Sequence, residues 1–160
     1  MSVPLVVEWP GPGRIAVMPR PAGGAALADD LRSLRAAGVD TLVSALTEAE
    51  RERLDLVRQP EIAMRAGLSY VAFPIADFGV PAIDDLRALA RRLADETAEG
   101  RFVVVHCFGG IGRSGMIACA TLIRLGATAE QAMALVSRAR GFPVPETPAQ
   151  RDLLRTLAQG

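Results

Sequence analysis

Residues 101–115 read RFVVVHCFGGIGRSG. Within them, Phe102 to Val105 is a continuous apolar run bounded by Gly100 on one side and a glycine cluster on the other, as is typical of a strand buried on both faces. Three of the five residues between Cys107 and Arg113 are glycine, and apolar residues repeat at helical spacing after Arg113. The segment therefore predicts a strand, a glycine-rich loop and a helix, with Cys107 at the start of the loop.

A short loop that opens a helix directs several backbone N–H groups into one concavity, and the helix dipole adds positive potential there. Gly109, Gly110 and Gly112 let the backbone approach a ligand closely, because no Cβ intervenes. A tetrahedral oxyanion fits such a cradle, and the planar guanidinium of Arg113 can bind two of its oxygens. The same field favours the thiolate of Cys107, so a nucleophile and an oxyanion clamp are predicted at one place.

The segment HCFGGIGRS, residues 106–114, resembles the His-Cys-x5-Arg-Ser/Thr signature loop of the cysteine-dependent protein tyrosine and dual-specificity phosphatases. The compact type, which includes the kinase-associated phosphatases, is the most similar. The resemblance implies hydrolysis of phosphate monoesters through a phosphocysteine intermediate on Cys107. The phosphate-binding residues that it implies are Phe108, Gly109, Gly110, Ile111, Gly112 and Arg113. The alternative is a buried structural cysteine beside an ordinary strand-to-helix turn.

Two further catalytic residues are predicted. The family carries its general acid on a loop at about the place of PIADFGVP, residues 74–81, where Asp77 is the one acid. Asp84 and Asp85 compete for this role, but acids in the first turn of a helix favour the dipole without any catalytic reason. Once ionised, Asp77 would serve as the base for the hydrolytic step. The resemblance also implies that the hydroxyl of Ser114 helps the thiolate to leave.

Two residues are predicted to support the site. His106 is the only histidine, and it precedes Cys107 on a strand, so the two side chains should point to opposite faces. We therefore expect His106 to order the loop through buried hydrogen bonds rather than to form a Cys–His dyad. The segment ETPAQ resembles the family's Gln-Thr-x-x-Gln loop, which implies that Gln150 positions water. Glu146 stands where that loop has its first glutamine.

The rest of the chain alternates strands and helices. Strands are expected at 5–7, 15–18, 39–45 and 68–73, the last of the buried type, and helices at 25–37, 47–57, 60–66, 82–99, 113–125, 128–140 and 148–158. The pattern predicts an α/β fold: one phosphatase domain, residues 1–160, with a central, mainly parallel sheet of four to five strands flanked by helices on both faces. Loops after parallel strands meet at one edge, which gathers Arg20, Asp77 and Cys107. Arg20 is either simply solvated or able to reach an acidic substrate.

Composition limits the partners. Eighteen basic residues balance eighteen acidic ones, so no net field favours nucleic acid or a membrane surface. We expect no signal peptide, no membrane span and, with one histidine and scattered acids, no metal or other cofactor.

Two cysteines make no disulfide framework, and Cys119 is interpreted as a core residue, with a resolving thiol as the alternative. A reduced reactive thiol favours the cytoplasm. The oligomeric state is left open.

The predicted function is hydrolysis of phosphotyrosine in proteins or peptides, with phosphoserine and phosphothreonine as further substrates. Phe108 and Ile111 are apolar at positions where family members that act on inositol phosphates tend to carry basic residues. Three alternatives stay open: a phosphatase of a small-molecule phosphate, an arsenate reductase, and a phospho-binding module without turnover. Arsenate reduction would need resolving thiols, for which Cys119 is poorly placed.

Overall fold

The structure, a computed structural model, describes residues 2–160 and forms one five-stranded sheet surrounded by helices. The strands are β1 (Leu5–Val6), β2 (Arg14–Met18), β3 (Thr41–Ser44), β4 (Ser69–Ala72) and β5 (Phe102–His106). The helices are α1 (Leu27–Ala36), α2 (Glu48–Arg53), α3 (Gln59–Arg65), α4 (Ile83–Ala98), α5 (Arg113–Arg124), α6 (Ala129–Arg140) and α7 (Pro148–Gln159). The predicted α/β class is confirmed.

The strand order is β1-β2-β5-β3-β4, so β5 is the central strand. β5 runs parallel to both β2 and β3, with Val104 level with Ala16 on one side and with Leu42 on the other. β4 extends the parallel sheet at one edge, and β1 pairs antiparallel at the other. The loop that begins at Cys107 therefore leaves the middle of the sheet, with the loops after β2 and β3 on either side.

Alternate side chains of the strands pack into two separate cores. Val43, Val103 and Val105 face one side, where α4, α5, α6 and α7 contribute the other buried residues. Leu42 and Val104 face the opposite side, against α1 and α3. This arrangement confirms the prediction of helices on both faces. No helix within residues 2–160 is long and apolar enough to span a bilayer.

Two sequence-based expectations were wrong. Residues 68–73 were predicted as a strand of the buried type, but β4 is the sheet edge and its residues are exposed or half-buried. The helix expected over 47–57 ends at Arg53, because Asp55 takes a left-handed conformation with φ +56°. The chain then returns inward and buries Leu56. The position of β4 in the strand order explains the first difference, and the backbone reversal at Asp55 explains the second.

Candidate active site

Cys107 directly follows β5, and Ser114 is the second residue of α5. The Cys107 Sγ lies 3.2 Å from the Ser114 Oγ, and both residues are buried. The serine hydroxyl can donate a hydrogen bond to the sulfur, which stabilises a negative charge on it. The structure thus brings together the two ends of the glycine-rich loop, residues 107–112.

Other parts of the fold hold the carbonyl groups of this loop. The Arg20 backbone N–H donates to the Phe108 carbonyl at 3.1 Å, and the Arg140 Nη2 donates to the Gly109 carbonyl at 3.0 Å. Within the described part of the chain, no backbone N–H of residues 108–112 donates a hydrogen bond. Successive N–H groups at the start of a helix, with their carbonyls engaged elsewhere, form a cradle for an anion.

Gly110 is required by a close contact, and Gly112 lies against the ETPAQ segment. Gly110 has φ +75°, and a Cβ there would lie 2.6 Å from the carbonyl carbon of Met18 at the end of β2. A Cβ on Gly112 would lie 2.6 Å from the Glu146 Oε1, at the end of an exposed side chain, and 3.3 Å from the Gln150 Oε1. A larger residue at position 110 would displace the loop from the end of β2. The contacts also bring the ETPAQ segment to the site.

Arg113 opens α5, and only 1% of its side chain is exposed. Its Nη1 and Nη2 donate to the two carboxylate oxygens of Glu50, at 2.6 Å and 2.9 Å, in a bidentate pair. Nη1 also donates to the Ile75 carbonyl at 2.9 Å, and Nη2 lies 3.2 Å from the Asp77 Oδ1. These contacts fix the plane of the guanidinium beside the loop, and they link it to the segment that carries Asp77.

Glu50 is a site residue that the sequence analysis missed. Its position in the Thr47–Glu50 capping box already explains an acid there, and the Glu50 Oε1 accepts a bond from the Thr47 N–H at 3.0 Å. Burial alone would raise the pKa of Glu50, but the bonds from Arg113 and from the Thr47 N–H outweigh it and hold the pKa at about 2. The carboxylate is therefore ionised at neutral pH and neutralises the buried guanidinium.

We expect Glu50→Gln to lower the free energy of unfolding by about 3 kcal/mol, because the buried charge of Arg113 loses its partner. A glutamine can still accept the capping bond, so the helix start is preserved. Urea denaturation measures the loss, and Glu48→Gln, an exposed change of the same charge in the same helix, is the control. A variant as stable as the wild-type chain would contradict the importance of the pair.

Asp77 lies in the segment between β4 and α4, which we call the acid loop (residues 73–82). Its carboxylate is half-exposed, and its Oδ1 accepts a bond from the Phe78 N–H at 3.1 Å in addition to the Arg113 contact. The competing acids, Asp84 and Asp85, are in the first turn of α4, and exposed Asp84 pairs with Arg87. Of the three, Asp77 is the carboxylate in contact with Arg113.

Gln150 is fully buried and fastens the acid loop to α7. Its Oε1 accepts bonds from the N–H groups of Glu146 and Thr147, at 3.1 Å and 3.2 Å, as part of a capping box. Its Nε2 donates to the Gly79 carbonyl at 3.1 Å. The side chain therefore helps to position the loop that carries Asp77, and its role in positioning water stays a prediction.

His106 faces the opposite side of β5 from the Cys107 sulfur. Its Nε2 lies 2.8 Å from the Gln59 Nε2, and its Nδ1 lies 3.3 Å from the Cys107 carbonyl. An amide nitrogen can only donate, so the Nε2 accepts and the proton is on the Nδ1, which donates to the carbonyl. Burial lowers the pKa of His106 to about 4, aided by the Arg113 charge and opposed by the carbonyl bond. The neutral ring orders the loop, and Gln59 selects its tautomer.

Because His106 is the only histidine, its titration can be read directly in stability. Its pKa of about 4 in the folded chain is below the unfolded value near 6.5, so the unfolded chain binds more protons as the pH falls through this range. We expect the free energy of unfolding to decrease by about 2 kcal/mol between pH 7 and pH 5. Carboxylates with a lowered pKa, such as Glu50, lose stabilisation only below about pH 4.5.

Urea denaturation at the two pH values measures this decrease. His106→Gln lacks the titrating ring, so its stability should change much less over the same interval, whatever its absolute stability. An equal decrease in both chains would assign the titration to another group.

Two remaining residues, Arg20 and Cys119, have defined places in the structure. The Arg20 Cζ lies 5.5 Å from the centroid of the Phe108 ring, so this arginine packs at the site. Cys119 is buried within α5, and burial raises the pKa of its thiol, which speaks against a resolving role. Within residues 2–160, no group of three or more His, Cys, Asp or Glu side chains is placed to bind a metal ion.

Comparison with known families identifies this arrangement. The family model described as "Tc-R-P: Polymorphic toxin system, DSP-PTPase phosphatase" matches residues 16–127, which is more than half of the chain. The chain belongs to this DSP-PTPase family. The matched range runs from β2 to the end of α5, and it includes both the acid loop and the glycine-rich loop.

Two curated relatives of this DSP-PTPase are larger proteins. Cyclin-dependent kinase inhibitor 3 from Homo sapiens is 27% identical over 127 residues, covering 78% of the chain and 60% of the relative. Protein tyrosine phosphatase domain-containing protein 1 from Danio rerio is 30% identical over 102 residues, covering 63% of the chain. The match spans only 14% of the length of this second relative.

Solved structures share the fold. Kinase associated phosphatase, with its catalytic-site cysteine replaced by serine, superposes with a TM-score of 0.83 at 22% identity and covers 91% of the chain and 86% of its own. Tk-PTP in its active form superposes with a TM-score of 0.76 at 26% identity and covers 96% of each chain. The architecture of the DSP-PTPase chain is therefore that of protein tyrosine phosphatases.

Proposed function

We propose that the chain hydrolyses phosphate monoesters, phosphotyrosine first among them, through a phosphocysteine intermediate on Cys107. The observation that carries the proposal is the convergence of three elements on one loop. The Cys107 sulfur contacts Ser114, the Arg113 guanidinium is oriented by Glu50, and the N–H groups of residues 108–112 make no bond to the protein. Membership of the DSP-PTPase family supports the same chemistry.

In the first step, the Cys107 thiolate attacks phosphorus in line with the leaving oxygen, so that an S–P bond forms as the P–O bond breaks. The loop N–H groups and Arg113 stabilise the charge on the equatorial oxygens. Asp77 donates its proton to the leaving oxygen. Its contact with Arg113 favours this role, because a phosphate held by the same guanidinium lies next to the carboxyl.

In the second step, the ionised Asp77 takes a proton from water, and the oxygen attacks the phosphocysteine. The S–P bond breaks, phosphate leaves, and Ser114 donates a hydrogen bond to the departing thiolate. Gln150 supports both steps by holding Gly79 of the acid loop. No redox partner or metal enters this sequence, so we expect turnover in the presence of a chelator.

The preference for a phosphorylated tyrosine of a protein or peptide rests on the entrance to the site. Phe108 is exposed and Ile111 is half-buried, so the variable positions of the loop offer apolar contacts and no cations. A phenyl phosphate gains from such contacts, whereas a polyhydroxylated ring does not. Because the nucleophile must be a reduced thiol, we expect the enzyme to work in a reducing compartment such as the cytoplasm.

Phosphate release tests the proposal. Two peptides of one sequence, one with phosphotyrosine and one with phosphothreonine, are compared with an inositol phosphate, all in chelator. We expect the fastest release from the phosphotyrosine peptide. Faster release from the inositol phosphate would favour a small-molecule phosphatase, and tight phosphopeptide binding without release would favour a binding module. Rescue of a chelated, inactive enzyme by a divalent ion would contradict turnover without metal.

A further inference from the structure

Three of the five phenylalanines are exposed, and each lies on a segment at the site. Phe78 of the acid loop is 60% exposed, Phe108 of the glycine-rich loop 46%, and Phe142, between α6 and α7, 56%. Val80 of the acid loop is also exposed. We call these four residues the apolar rim. Large side chains left in water by the fold, when they gather around one site, point to a ligand surface.

Side-chain contacts place the rim around the phosphate cradle. Phe78 follows Asp77, whose carboxylate touches Arg113, and Phe108 follows Cys107. The Arg140 Cζ lies 5.4 Å from the Phe142 ring, and the same guanidinium donates to the carbonyl of Gly109 in the loop. Phe108 packs with Arg20 from the β2 side of the sheet, whereas the acid loop comes from the β4 side. Apolar groups thus stand on opposite sides of the cradle.

The backbone conformation of Phe78 is a second indication that the rim binds a ligand. Its φ of +61° is in the left-handed region, where a bulky side chain is strained. Asparagine or glycine would adopt this conformation more easily, and the ring, which is 60% exposed, gains little buried packing in return. Strained, exposed side chains of this kind are found where a ligand uses them.

The charges around the rim favour a polypeptide over a lipid bilayer as its binding partner. Arg20 and Arg140 pack on two of the rings, and two carboxylates, those of Asp77 and Glu146, lie at the cradle that the rim surrounds. Binding to anionic membrane depends on a positive excess, which this surface does not have. An extended peptide needs no such excess, and its side chains on both sides of a phosphorylated residue can reach both sides of the cradle.

We propose that the apolar rim selects phosphorylated polypeptide segments that carry large apolar side chains on both sides of the phosphorylated residue. This inference rests on the proposed function and names the substrate class for that site. The flanking side chains bury the exposed rings, so selectivity is expressed mainly in KM and in the affinity of the unreactive enzyme. The effect expected from covering two rings is roughly tenfold or more.

Two phosphotyrosine peptides test the rim: one with leucine or phenylalanine on both sides of the phosphotyrosine, the other with glycine there. For wild type we expect kcat/KM to be roughly tenfold higher with the apolar peptide. In the double variant Phe78→Asn, Phe142→Ser the ratio should approach one. Met64→Ser, which removes a side chain that is 77% exposed on α3 and is not part of the rim, should keep the wild-type ratio. Phe78→Asn alone should unfold at no lower temperature than wild type, since asparagine tolerates φ +61°.

The proposed role of the rim would be wrong if the ratio of kcat/KM for the two peptides were near one in wild type, or if the double variant kept the wild-type ratio. An equal loss on both peptides would also contradict it, because it would indicate general damage to the site. Tighter binding to vesicles with phosphatidylserine than to either peptide, lost in the double variant, would replace the polypeptide by a membrane. Peptide affinities measured with Cys107→Ser require no turnover. They therefore test the selectivity of the rim even if no substrate releases phosphate and the proposed function is wrong.

Discussion

Cys107→Ser is expected to lower phosphate release by roughly 10⁴-fold or more, as removal of a catalytic nucleophile does elsewhere. A serine hydroxyl is far less acidic than a thiol, and the field of the loop cannot ionise it at neutral pH. The replaced atom is nearly the same size, so the loop and Arg113 keep their places. Phosphate release from a phosphotyrosine peptide measures the loss.

The same variant should still bind an oxyanion. Phosphate or tungstate at about one hundred times its Kd should stabilise the folded chain by about 3 kcal/mol, which thermal unfolding detects. Cys119→Ser is the matched control, because Cys119 lies within α5 and has no part in the proposed reaction. Turnover by Cys107→Ser at a rate near that of wild type would remove Cys107 as the nucleophile.

Asp77→Asn carries the second large effect, and it depends on the leaving group. With phenyl or alkyl phosphates, whose leaving oxygens need a proton, kcat/KM should fall by roughly 10²–10⁴-fold. With nitrophenyl phosphate the loss of kcat/KM should be small, since nitrophenolate leaves without protonation and the hydrolytic step, which also uses Asp77, does not enter kcat/KM. Values of kcat/KM on a series of aryl phosphates therefore measure proton donation rather than general damage.

The Asp77–Arg113 contact adds an outcome that loss of a proton donor alone would not produce. The carboxylate lies 3.2 Å from the Arg113 Nη2, where it competes with a bound anion. Asp77→Asn should therefore bind phosphate at least as tightly as wild type while it turns over more slowly. Asp84→Asn, an exposed change in the first turn of α4, is the control. Equal losses on every leaving group, or weaker phosphate binding, would reject Asp77 as the acid.

Local sequence predicts the central part of this protein well. The strand, loop and helix around Cys107 are encoded within fifteen consecutive residues, where apolar runs, glycines and helical spacing act at short range. The acid loop was also found, because Pro and Gly leave Asp77 in an irregular segment after a strand. These features need no knowledge of which strands become neighbours.

Pairs across the fold were not predictable in this way. Glu50 and Arg113 are separated by 63 positions, and a capping box gives a sufficient local reason for the acid. Gln59 reaches His106 only because α3 packs against the face of β5 opposite the cysteine. A buried arginine is expected to pair with a carboxylate, but several acids of this chain could have been the partner of Arg113. Which acid it is depends on strand order, and local sequence patterns do not encode strand order.

The central position of β5 has a consequence for how such a protein can change. Cys107 and the loop proposed to bind phosphate directly follow a strand held on both sides by parallel neighbours, so their geometry is set by the most constrained part of the sheet. The surrounding contacts come from three separate segments, after β2, after β4 and after α6. The segments after β2 and after α6 can be replaced without moving the proposed reacting groups, whereas the segment after β4 also carries Asp77. Substrate preference can thus change by replacement of one surrounding segment at a time, while the proposed chemistry at Cys107 stays the same.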